Sequence, residues 1–166
     1  KIYADAYQQV TSAGGERYPT VNDAITNAVE TGTLALDYFG HGGINGWANE
    51  RILEVPQIQS WNNFNTLPLF ITVTCEFSRF DNPLQPSAGE FTFLNAKGGA
   101  TSMITTTREI FISTGQLFNK NLIKKLFNFE NENYTIAEAL MNTKNDFNSG
   151  QRLFVYQFGD PAMKLA

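Results

Sequence analysis

A mostly parallel α/β sheet is the fold class this 166-residue sequence predicts. Three observations carry it. Strand-length apolar runs occur at 33–39, 69–74 and 100–106, segments of helical spacing lie between them, and Gly or Pro marks the changes of period. Crossovers of about ten helical residues between such strands form the βαβ pattern, in which successive strands run parallel. With 42% hydrophobic residues the chain fills one apolar core but not two ordinary ones, so residues 1–166 read as a single domain.

The opening is turn-rich, with TSAGGERYP over Thr11–Pro19. From Pro19 to about Glu30, Val21, Ala24, Ile25 and Ala28 recur at helical spacing, and Pro is accepted in a first turn. Gly32 ends this helix. TLALDYF, Thr33–Phe39, then predicts a first, buried strand bounded by the run GHGG. LEVPQIQSW, Leu53–Trp61, stays ambiguous, because Pro56 breaks a long helix yet can begin a short one. LFITVT, Leu69–Thr74, is β-branched and aromatic and predicts a second buried strand that stops at Cys75.

After the polar loop RFDNPLQPS, Ser87 and Glu90 stand at capping-box spacing and predict a third helix, ended by Gly98 and Gly99. Ala100–Thr106 supplies a third strand. Leu117, Leu122, Ile123, Leu126 and Phe127 make one helical stripe, Ile136–Phe147 another, and RLFVYQF, Arg152–Phe158, a final strand.

Charge and composition exclude several functions. The net charge is −4 and no basic run is present that would track a phosphate backbone, so nucleic acid is not expected as a partner. No stretch approaches the roughly 18 to 20 apolar residues of a membrane span, and KIYADAYQQV lacks the layout of a signal peptide. Lys1 opens without an initiator Met, as in a piece of a longer protein. A single cysteine excludes an internal disulfide and leaves the compartment open.

In sheets of this class, reactive side chains sit just beyond the carboxyl ends of the strands. His41 and Cys75 hold such positions on two consecutive strands. A thiol attacks only as thiolate, which a neighbouring imidazole favours, and adjacent strand ends lie about 5 to 10 Å apart. Gly42 or Gly43 can bring an N–H close to a substrate, and with the Cys75 amide would form a two-donor oxyanion hole. The residue types allow a plainer reading as well: a cysteine after LFITVT as a small core residue, and a histidine capping a Gly-rich turn. Trp47 reads as a specificity-pocket wall or a loop-packing aromatic, and Glu76 faces the cleft or solvent. Arg79 with Asp81, and Arg108 with Glu109, stand as local ion pairs, and RFDNPLQPS as a loop that shapes access or an ordinary surface loop.

LALDYFGHGG followed by LFITVTCEF, with Cys75 34 positions after His41, resembles the gingipain-like cysteine peptidases, which share the caspase-type fold. KIYADAYQQV, GGERYPTVNDAI, GHGGINGWANERIL, TCEFSRFDNP, SAGEFTFLNAKGGA and the closing YQFGDPAMKLA extend the likeness over nearly the whole chain. They are most similar to sortase-type, cell-surface members that serve type IX secretion in Bacteroidetes.

The resemblance implies a caspase-like three-layer α/β/α sandwich and the second, catalytic half of a two-part peptidase domain. It implies Cys75 as nucleophile, His41 as acid/base, and the Gly42 and Cys75 amides as oxyanion donors. Implied partners are protein substrates, namely the C-terminal secretion domains cut from cargo through a thioester acyl-enzyme, and other type IX components. Freed cargo would be joined to an anionic lipopolysaccharide. The implied location is exported, at the outer membrane, the cell surface or outside the cell. A general secreted endopeptidase and a non-catalytic binding module are the alternatives.

Gingipains hold structural calcium, but no Asp/Asn-rich ligand spacing stands out here, so neither metal nor cofactor is expected. They also orient the histidine with an upstream carboxylate. Asp5, Glu16 and Asp23 have no spacing argument for that role, and Asp37, four residues before His41, reads as a structural hydrogen-bonding residue.

Overall fold

A computed structural model describes residues 1–128 and 133–165. The turn-rich opening is a small antiparallel hairpin of β1 (Val10–Ser12) and β2 (Gly15–Arg17). Helix α1 (Pro19–Thr31) follows with Pro in its first turn, as expected. Next come β3 (Ala35–Tyr38), three two-residue strands, β4 (Gly42–Gly43), β5 (Gly46–Trp47) and β6 (Leu53–Glu54), and the short helix α2 (Val55–Ser60), which Pro56 initiates. The remainder is β7 (Leu69–Thr72), α3 (Ala88–Phe93), β8 (Ser102–Thr106), α4 (Ile112–Leu126), α5 (Ile136–Asn145), a 3-10 turn over Gly150–Phe154, and β9 (Val155–Phe158).

The main sheet has the order β3-β7-β8-β9, with β3, β7 and β8 parallel and β9 antiparallel to β8. Side-chain alternation divides the core into two layers. Phe70 and Met103 point to one face, against Val21, Ile25 and Val29 of α1, Ile58 of α2 and Ala88 of α3. Leu69, Ile71, Val73 and Ile104 point to the other, against Phe118, Leu122 and Leu126 of α4 and Ile136, Ala139 and Leu140 of α5. Helices on both faces of a mostly parallel sheet make the three-layer α/β/α sandwich.

Three expectations need correction. The first strand is not buried: β3 is an edge of the sheet, with Leu34 52% exposed beside it, because a single neighbour covers only part of an apolar run. Helix α3 stops at Phe93, before Gly98 and Gly99; Asn63 instead holds that corner, accepting from the Gly99 N–H at 2.7 Å and donating to the Gly99 carbonyl at 3.0 Å. Only the second half of RLFVYQF is strand, since Arg152 to Phe154 lie in the 3-10 turn.

The capping box at α3 forms as expected. The buried Ser87 hydroxyl accepts from the Glu90 N–H, and a Glu90 carboxylate oxygen accepts from the Ser87 N–H at 2.7 Å. Ser87→Ala should cost about 0.5–2 kcal/mol of stability, read as a lower urea midpoint at unchanged slope.

Candidate active site

One parallel register aligns the two candidate residues. Ala35 pairs with Leu69 and Tyr38 with Thr72, and the same offset of 34 continues past the ladder, where the Thr74 hydroxyl donates to the Gly40 carbonyl at 2.7 Å. One residue further come His41 and Cys75, each three residues beyond its strand. Both side chains line one niche of about 80 Å³ with Phe39, Val73, Ile110 and Ile112. His41 is exposed and Cys75 half-buried, with its thiol directed toward the Ile110 carbonyl at 3.9 Å.

The histidine loop is held by its own backbone. The His41 carbonyl accepts from the Tyr38 hydroxyl at 2.7 Å and from the Ala48 N–H at 2.8 Å. Strands β4, β5 and β6 form a small antiparallel sheet that returns the chain beneath the loop. In an antiparallel pair, bonded and non-bonded positions alternate. His41 and Ala48 are bonded, so Gly42 opposite Trp47 falls in a non-bonded pair and its N–H points away from the hairpin. A Cβ on Gly42 would come within 2.6 Å of the Thr74 hydroxyl, so only glycine lets the loop approach the residue before Cys75 this closely.

Trp47 is 1% exposed. Its ring stacks on Tyr38 with centroids 4.3 Å apart, contacts Phe70 and Phe77, and its indole N–H donates to the buried Thr72 hydroxyl at 3.0 Å. It anchors the loop to the core, as a loop-packing aromatic does, and also lines the cleft beside His41. Beside His41 lies a second, wider cleft of about 580 Å³ with a polar rim of Asn45, Asn49, Arg51 and Glu54.

The chain around Cys75 is tied to β8. The Thr106 hydroxyl donates to the Thr74 carbonyl, the Glu76 N–H to the Arg108 carbonyl at 3.4 Å, and the Ser78 N–H to the Thr106 carbonyl at 3.0 Å. Glu76 has φ +50°, a left-handed conformation that costs a non-glycine residue roughly 1–2 kcal/mol. Its carboxylate turns to Arg79 at 3.0 Å rather than toward the niche. Neither expected ion pair forms: Arg79 meets Glu76, and Arg108 reaches 27 residues back to Asp81 with both terminal guanidinium nitrogens. That hydrogen bond holds the Asp81 carboxyl below its ordinary value.

Asp37 accepts from the Asn119 side-chain amide of α4 at 3.1 Å on both oxygens. Burial pushes its carboxyl up, opposed by that amide. It ties the edge strand to a helix. Among the described residues no carboxylate hydrogen-bonds the His41 ring, and no three His, Cys, Asp or Glu side chains are grouped so as to hold a metal ion. Phe39, Ile110, Ile112, Tyr38 and Thr74 escaped sequence reading; three of them, Tyr38, Phe39 and Thr74, stand within three residues before His41 or Cys75, the only cue the sequence holds.

Burial, and secondarily Glu50, pushes the Tyr38 hydroxyl up to about 12 from an ordinary 10. The fold therefore favours the protonated phenol, and this stability is complete below pH 10 and is lost as pH rises through about 12. Tyr38→Phe should lose about 1 kcal/mol at neutral pH, and its urea midpoint should fall less steeply than that of the unsubstituted protein above pH 10.

The profile of Peptidase family C25 matches residues 1–166. Among solved structures, the Arg-specific cysteine proteinase gingipain R superposes with a TM-score of 0.73 at 18% identity, over 87% of this chain and 36% of that one. The complex of Porphyromonas gingivalis RgpB pro- and mature domains gives 0.71 at 19% identity, over 87% and 37%. A third structure, described as a protease, gives 0.69 at 17% identity, over 82% and 36%. No curated protein sequence matches the chain. It thus spans little more than a third of the gingipain chains whose caspase-like fold it shares. With the family profile running from the first residue to the last, the chain belongs to peptidase family C25, the gingipain-like cysteine peptidases.

Proposed function

We propose that Cys75 and His41 are the nucleophile and the acid/base of a cysteine peptidase site. The observation that supports this is the shared 34-residue register, which places both beyond adjacent strand ends and on one niche. Cys75 gives its proton to His41, and Sγ attacks the scissile carbonyl carbon. The tetrahedral intermediate collapses with loss of the C–N bond, and His41 returns the proton to the leaving amine. The thioester that remains is cleaved by water, or by an amine acceptor, which gives its proton to His41 as the new bond forms and the thiol leaves.

Backbone geometry favours the Gly42 and Cys75 amides as oxyanion donors. A planar trans peptide sets its C=O and N–H on opposite sides. The Thr74 carbonyl turns to Thr106 on β8, so the Cys75 N–H turns the other way, toward β3 and Gly42. In this reading Trp47 positions the histidine loop, and Glu76 holds the turn after the nucleophile.

The finer reading is a sortase-type peptidase similar to PorU, which cuts C-terminal secretion domains from type IX cargo at the cell surface; residues 1–166 would be the catalytic part of a longer peptidase domain. It rests on the sequence likeness around GHGGINGWANERIL and TCEFSRFDNP. The exported location and the cargo partners rest on the same likeness.

In the full-length protein at neutral pH, iodoacetamide should alkylate Cys75 about tenfold faster than a free thiol, and His41→Ala should remove that advantage. Equal rates for Cys75 and free thiol, unchanged by His41→Ala, would reject the dyad. For the sortase reading, mass spectrometry of processed cargo should show a conjugate to an amine-bearing glycolipid; hydrolysed cargo alone would favour a plain endopeptidase.

A further inference from the structure

The apolar niche beside Cys75 carries information about substrate that the proposed chemistry does not use. Its walls are Phe39, Val73, Ile110 and Ile112, closed by Gly40, His41, Thr74 and Cys75. No acidic side chain lines it among the described residues. Val73 and Ile110 are buried and Phe39 and Ile112 partly exposed, so the niche has a closed base and an accessible mouth. Helix α4 shapes the base: a Cβ on its buried Gly115 would lie 3.2 Å from the Phe39 ring, 3.5 Å from Val73 and 3.7 Å from Ile110.

The two spaces flanking the dyad differ in kind. The leaving amine must be reached by His41, whose other flank opens on the wide cleft with Asn45, Asn49, Arg51 and Glu54. The acyl group bonds to Cys75, so its first side chain lies against the niche. About 80 Å³ is several times the ~10–15 Å³ that one water requires and about half the ~150 Å³ of a cavity that admits benzene. That suits a side chain between methyl and isopropyl. A guanidinium or ammonium that reached the base would be desolvated against Val73 and Ile110, and no carboxylate lines the niche among the described residues.

We infer that this site selects a small apolar residue, alanine to valine in size, on the acyl side of the scissile bond, with Phe39 and Ile112 as specificity-determining residues. The inference rests on the peptidase reading of Cys75.

The test uses the full-length protein and six peptidyl acyloxymethyl ketones that differ only in the residue next to the reactive group: Ala, Val, Leu, Phe, Lys and Arg. The Ala and Val probes should label Cys75 at least about tenfold faster than the Lys and Arg probes. Phe39→Ala should move the optimum to Leu or Phe. Ile112→Asp, at a position 63% exposed and so tolerant of charge, should raise the Lys rate relative to Val about tenfold. Fastest labelling by Lys or Arg, or equal rates across the panel, overturns the inference while leaving the dyad in place. Failure of all six probes to label Cys75 removes the peptidase reading and this inference with it.

Discussion

The parallel pairing of β3 on β7 is the constraint on which the rest of the site depends. A register is one integer shared by every pair in the ladder, here 34, and the candidate dyad inherits it. A slip of one residue would turn every side chain of the moving strand to the opposite face. On β7 that would drive Phe70 into the α4/α5 layer and Leu69 and Ile71 into the α1/α2/α3 layer, all of them fully buried or nearly so. The free energy that aligns His41 with Cys75 is therefore that of the hydrophobic core, spent some distance from the site.

What the core fixes in register, buried hydroxyls fix in position. Thr72, Thr74, Ser78, Thr105 and Thr106 cluster at the carboxyl ends of β7 and β8 and are 0–2% exposed. Valine would fill the same pleated positions, yet each of these hydroxyls has a partner: Trp47 to Thr72, Thr74 to Gly40, Ser78 with Thr105, Thr106 to Thr74. Buried polar groups at these positions would be destabilising without those partners, so the network tolerates few arrangements. It gives the loops a rigid rim to hang from, and lets Glu76 hold a left-handed turn immediately after Cys75.

Where side chains repeat, the fold was legible in the sequence. The apolar runs at 69–74 and 100–106, the helical stripes and the Ser87 capping box all carry periodic or positional signals, and the two candidate residues stood out by ending such runs. The small sheet of β4, β5 and β6 did not, since two-residue strands rich in glycine leave no alternation to read. The burial of β3 depends on its place in the sheet, which a local pattern does not encode. Arg108 was matched to its neighbour Glu109 instead of Asp81 because pairing across 27 residues is a property of the tertiary fold. The same holds for the niche, whose walls Phe39, Val73, Ile110 and Ile112 come from three separate parts of the chain that only the fold brings together.

Helix α4 shows how the layers and the niche are one design. A glycine inside a helix costs roughly 0.5–1 kcal/mol relative to alanine, and Gly115 sits in the first turns of α4 where nothing in its own helix requires it. Its surroundings are lateral: alanine there would press on the Phe39 ring at 3.2 Å, so the ring would have to give by a few tenths of an ångström, while Val73 and Ile110 would lie in ordinary contact. One turn further along, Asn119 binds the Asp37 carboxylate and draws the edge strand to the same helix. Two contacts from α4 thus hold the strand that carries Phe39 and leads to His41. The helix that covers one face of the sheet thereby sets both the placement of the histidine strand and the width of the space beside the thiol, so a change in its seating would alter geometry and specificity together.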